Sequence, residues 1–143
     1  MDAMHAQAGF REVEHTADWA LEVWAPDLPE LFRQALWGMY ALMGLVKPKP
    51  ASSREIHLEA PDLETLLVDF LTEALFWLDV ERWAAAALPD LHVTRMNDQW
   101  VIRGRAVGGP VSPGEKEIKA VTYHGLHVQP TDDGYRAVVV FDV

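Results

Sequence analysis

Apolar and polar positions change period several times along the chain, and each change predicts an element. Trp19, Leu21 and Val23 alternate with Ala20, Glu22 and Trp24, the two-residue period of a strand. Phe10 and Val13 mark a shorter extended piece before it, with His15-Thr16-Ala17-Asp18 at the strand entry. The period then lengthens. Leu28, Leu31, Phe32, Ala35, Met39, Leu42 and Met43 share one broad helical face. Asp27-Leu28-Pro29-Glu30 supplies the start: an acceptor for an orphan N–H, a proline that needs none, and a glutamate able to reach back. Gly44 and Lys47-Pro48-Lys49-Pro50 end this helix. Arg54–Glu59 alternates again. Pro61-Asp62 opens a second helix on Leu63, Leu66, Leu67, Phe70, Leu71, Leu75 and Leu78, with Glu64, Asp69, Glu73, Asp79 and Glu81 on other faces. Trp83 and four alanines are read as its continuation to Pro89.

The remainder is strand-like. Leu91–Met96 and Trp100–Ala106 flank Asn97-Asp98 as a hairpin, and Gly108-Gly109-Pro110 to Pro113-Gly114 reads as a loop. Strands over Glu117–Tyr123 and Leu126–Gln129 follow, then the Asp132-Asp133-Gly134 turn and a final run, Tyr135–Val143. The order is roughly β-α-β-α-β-β-β-β. It predicts an α+β, two-layer single domain: a mixed or mostly antiparallel sheet with two main helices packed on one face. Residues 1–9 are expected to form a flexible tail and residues 10–143 the domain.

Composition narrows the function classes. The 143 residues are 50% apolar, enough for one core, and the net charge is −10 from 22 acids against 12 Lys and Arg. Such acidity repels a phosphate backbone, so RNA or DNA is expected to be met only indirectly. The absence of cysteine excludes disulfide partners, thiolate metal sites and cysteine nucleophiles. No apolar run is long enough for a membrane span, and the start lacks the pattern of a signal peptide, which predicts a cytoplasmic protein.

Few residues stand out for chemistry. His15 and Asp18 are three apart in apolar surroundings, a spacing open to metal ligation, a catalytic dyad or a hydrogen-bonded strand entry. The last strand runs apolar through Val138-Val139-Val140-Phe141 and stops at Asp142-Val143. A carboxylate and an α-carboxylate so close repel each other unless solvated or neutralised by a cation. Glu117, Lys119, Val121 and Tyr123 share one face of their strand, where Lys119 either snorkels or anchors an anion. His57, His92 and His127 are isolated. No zincin motif, serine elbow or phosphate loop is present.

Together, His15-Thr16-Ala17-Asp18, Glu117-Ile118-Lys119-Ala120-Val121-Thr122-Tyr123-His124 and Val140-Phe141-Asp142-Val143 resemble the archease family, as does Leu67-Val68-Asp69-Phe70-Leu71-Thr72-Glu73 in the second helix. The resemblance spans roughly residues 10–143; Trp19-Ala20, after the first motif, departs from the smaller residues usual there. It implies a non-catalytic activator of the RNA-splicing ligase whose histidine is guanylylated by GTP. That ligase joins 2′,3′-cyclic phosphate or 3′-phosphate RNA ends to 5′-hydroxyl ends, in tRNA splicing or RNA repair. It further implies a divalent metal on Asp18, Asp142 and Val143, with Lys119 and His15 as partner or activation contacts. All-oxygen ligands favour Ca²⁺ or Mg²⁺. Two alternatives stand beside this reading: a metal-dependent hydrolase using the same carboxylates with His15 as base, and a chaperone-like modulator of a tRNA-modifying enzyme.

Overall fold

The computed structural model describes residues 7–13 and 19–143. The elements run β1 (Gly9–Val13), β2 (Trp19–Ala25), α1 (Leu28–Met43), β3 (Ser52–Ala60), α2 (Leu63–Glu81), β4 (Trp83–Ala87), β5 (His92–Met96), β6 (Gln99–Pro110), β7 (Ala120–Thr122), β8 (Gln129–Thr131) and β9 (Gly134–Asp142). The strands divide between two sheets. One has the order β1-β2-β9-β7, with β8 also on β9; the other has β3-β6-β4, with β5 also on β6. Every pairing among the described residues is antiparallel. The α+β class therefore holds, and α1 packs on the first sheet while α2 packs mainly on the second.

Both helices begin as their sequences dictate. Asp27 accepts from the backbone N–H of Glu30 at 2.9 Å, and Asp62 from that of Thr65 at 2.7 Å. Glu30 does not reach back to its cap; its carboxylate accepts from Arg33 at 3.2 Å and Gln34 at 2.7 Å, one turn onward. Gly44 closes α1 at φ +69°, a left-handed conformation that glycine adopts without steric cost. Phe32 of α1 and Phe70 of α2 are fully buried with ring centroids 5.8 Å apart. Each such side chain contributes about 1.5–3 kcal/mol through burial. No helix among the described residues is long and apolar enough to cross a membrane.

Three expectations are corrected. The second helix does not continue to Pro89: it ends at Glu81, Arg82 takes a left-handed φ of +53°, and Trp83–Ala87 is strand β4. Tertiary pairing overrides alanine's helical preference here. Gly108-Gly109-Pro110 belongs to β6 rather than to a loop, and Ala84 and Ala85 pair with Gly109 and Gly108. A Cβ on Gly108 would fall 1.9 Å from the Ala84 carbonyl oxygen, so the approach of β4 needs glycine there. Finally, the strand at Leu126–Gln129 is shifted to Gln129–Thr131, because Leu126 turns inward and is buried in the preceding turn.

Candidate functional site at the end of the first sheet

Strand β9 is central in its sheet, flanked by β2 and β7, and its last residue carries the first candidate ligand. Trp19 pairs with Phe141, and Ala120 pairs with Asp142. Val139 and Phe141 are fully buried in the core, so the alternation turns Asp142 to the opposite side of the sheet. The backbone N–H of Lys119 donates to the Asp142 carbonyl oxygen at 2.8 Å, and Thr122 Oγ1 donates to the Val140 carbonyl at 3.0 Å. Asp142 and Val143 are exposed, but Asp142 is fastened by its neighbours. The hydrogen bonds fix where the Asp142 backbone stands, while its side chain faces solvent.

Lys119 reaches this end by a different route from the one its spacing predicts. Only Ala120–Thr122 forms strand β7, so the expected strand over Glu117–Tyr123 is shorter. Ile118 is fully buried and Val121 is nearly so, three residues apart, whereas Lys119 and Ala120 are both exposed. A strict two-residue alternation cannot bury both Ile118 and Val121. The chain therefore kinks as it enters the ladder, and Lys119 does not share a continuous strand face with Val121.

Two charged groups acquire their surroundings only in the folded chain. Lys116 Nζ lies 5.0 Å from the centroid of the Trp19 ring, and its backbone N–H donates to Met43 at 3.2 Å. A cation thereby rests on the residue that directly follows Asp18. Asp69 of α2 is half-buried; burial raises its pKa, and the Asp62 carboxylate raises it further. The Lys116–Trp19 contact joins distant segments and has no local signature. Asp69 is legible only once the packing of α2 is known. The α2 amino end is tied to the chain before β8 through Glu64, which accepts from the Val128 N–H at 2.8 Å.

His15 and Asp18 lie outside the described residues, as does most of the expected tail over residues 1–9. Among the described residues no three His, Cys, Asp or Glu side chains gather as a metal site. Asp142 and Val143 are thus two members of the expected ligand set, and the third adjoins Trp19 in the chain. Hard carboxylate oxygens are the donor type that Ca²⁺ or Mg²⁺ prefers. His57 and His92 lie on the exposed face of the second sheet, both paired to Arg103, and take no part in this end of the molecule.

Relatives share this architecture. Residues 10–143 match the model of the Archease protein family (MTH1598/TM1083). Protein archease from Methanosarcina barkeri is 33% identical over 139 residues, covering 94% of this chain and 95% of the relative. Protein archease from Methanopyrus kandleri is 33% identical over 141 residues, covering 94% and 99%. The solution structure of protein 1598 from Methanobacterium thermoautotrophicum superposes with a TM-score of 0.74 at 26% identity, covering 94% of this chain and 99% of that one. The crystal structure of a Thermotoga maritima archease, described as a possible chaperone, superposes at 0.60 with 24% identity over 93% and 96%, a likeness of fold. The family match extends from β1 through the exposed end of β9, and the chain belongs to the archease family.

Proposed function

We propose that the chain is a non-catalytic protein cofactor of an RNA ligase. The ligase joins 2′,3′-cyclic phosphate or 3′-phosphate ends to 5′-hydroxyl ends, and the chain promotes its guanylylation and multiple turnover. The observation that supports this most is the end of β9, where exposed oxygen donors sit on a backbone held from both sides. A divalent cation, Ca²⁺ or Mg²⁺, is assigned to Asp18, Asp142 and the α-carboxylate of Val143. Bound there, it would supply a concentrated positive charge for phosphate oxygens. The chain's own residues do the positioning. Pairing to Ala120 and the Lys119 N–H keep the Asp142 backbone in place, which limits the reorganisation needed when a partner docks.

Lys119 and His15 are proposed as contacts to the partner or to the activation step. The acidic excess of this chain suits a basic, RNA-handling protein better than RNA itself. The experiment mixes a substoichiometric amount of the chain with the ligase, GTP and cleaved RNA, and counts turnovers. Stimulation is expected for the parent protein. Asp142→Asn and Lys119→Ala should fall to the rate of ligase alone while keeping the parental melting temperature. Unchanged stimulation by Asp142→Asn and by Asp18→Ala sinks the metal assignment. Hydrolysis of GTP or RNA by the chain alone would favour a metal-dependent hydrolase instead.

A further inference from the structure

A groove of about 590 Å³ runs between the outer side of α1 and the edge of β4, away from the end of β9. Trp37 and Tyr40 form one wall, and Ala85–Ala87 form the other. The groove exists because β4 is built of alanines: methyl groups are all that its side chains place against the two α1 rings. Its volume falls within the range of about 300–1,000 Å³ usual for small-molecule sites. Arg33 and Lys47 are the charged residues lining it; no acid does, although the chain carries 22. Glu30 pairs with Arg33 at 3.2 Å from outside the lining. Lys47 is exposed and makes no ion pair among the described residues.

Side chains of α1 occupy part of the backbone along β4 and the residue after it. Tyr40 Oη accepts from the Ala85 N–H at 3.1 Å, and Arg33 Nε donates to the Leu88 carbonyl at 3.0 Å. These bonds occupy backbone groups that strand addition would use. Tyr40 is 7% exposed, and its own hydroxyl hydrogen has no acceptor among the described residues. Burial pushes the phenol up to about 12, from an ordinary value at which it already keeps its hydrogen at neutral pH. The groove thus combines aromatic and methyl walls, one unspent buried donor and a free cation.

We propose that this groove binds a planar aromatic anion, with the ring between Trp37 and the β4 alanines and the negative group towards Lys47. An acceptor atom on the ring takes the Tyr40 hydroxyl hydrogen, and Lys47 and the uncommitted part of the Arg33 guanidinium neutralise the charge. An aromatic carboxylate and a mononucleotide share this chemistry. The site is independent of the ligase reading, since no residue of β7 or β9 lines it.

The test titrates the folded protein with 8-anilinonaphthalene-1-sulfonate and follows its fluorescence. One saturable site is expected. Lys47→Glu should weaken it about five- to tenfold, the size of a reversed, partly solvated charge pair. Ala41→Trp, at an exposed position of the α1 wall, should abolish binding by filling the groove without disturbing the core. Melting curves confirm that both variants fold. Competition by 2-naphthoate alone identifies an aromatic carboxylate site, and competition by adenosine monophosphate identifies a nucleotide site. Parental affinity in both variants, or displacement by neither competitor, overturns the proposal.

Discussion

Glu22 is the buried charged residue among the described positions, and its partners explain how it is tolerated. It lies on the non-core side of β2, directly opposite Arg11 on β1 and diagonal to Arg136 on β9. Each guanidinium Nε donates to a different carboxylate oxygen at 2.5 Å. Burial alone would raise the carboxyl pKa, but the two hydrogen bonds and the nearby positive charges outweigh it and hold it below the ordinary range. A carboxylate depressed in the folded state adds stability in full above its unfolded pKa. That contribution disappears as pH falls through the folded value. Glu22→Gln should therefore cost about 1–2 kcal/mol at pH 7, moderated by the solvent exposure of both arginines. Its stability should also change less than the parent's between neutral pH and the acid limb. Urea unfolding at a series of pH values measures both, and parallel curves for the two proteins would contradict the assignment. The two-residue period places Glu22 with Ala20 and Trp24 on one side of its strand; only the register that sets two arginines around it reveals a three-strand clasp.

At the scale of elements, the sharpest departure from sequence expectation is β4. A Trp followed by four alanines has the local signature of a helix, and the helix before it has no proline to stop it. What stops it is tertiary. Trp83 docks edge-on against Trp77 at 5.4 Å, its indole N–H donates to Ser52 at 2.9 Å, and the Arg54 guanidinium lies 3.9 Å over its ring. The alanines then lie against Gly108 and Gly109, where the backbones can approach closely. Gly108→Ala should destabilise the fold by about 1–3 kcal/mol or more, because the new methyl meets a backbone oxygen that cannot swing aside. A lower urea midpoint with an unchanged slope is the expected readout, and an unchanged midpoint would count against the β4–β6 packing. Helix starts behaved differently. Asp27 and Asp62 are legible as caps because the acceptor and the N–H it serves are three residues apart, so no distant partner enters.

For the whole molecule, 22 acids against 12 Lys and Arg set the long-range field, and the proposed partner is a basic protein. Association with the ligase should then be electrostatically steered, its rate constant falling by about tenfold or more between low and high salt. Stopped-flow mixing across a salt series tests this, and a salt-independent rate would point to an uncharged docking surface. The same whole-molecule view separates what was readable in advance from what was not. Local information sufficed for both helix starts, the α+β class, the last apolar strand and the short motifs resembling archeases, since each depends on residues a few positions apart. Asp142 and Lys119 could be singled out as residue types, but their meeting depends on β7 pairing with β9 across some twenty residues of intervening chain. The division into two sheets, the strand made from alanines, the arginine clasp on Glu22 and the groove beside Tyr40 likewise arise from contacts between distant segments. Local periodicity records which side of an element is apolar, and packing alone decides what that side, and the polar side opposite, will meet.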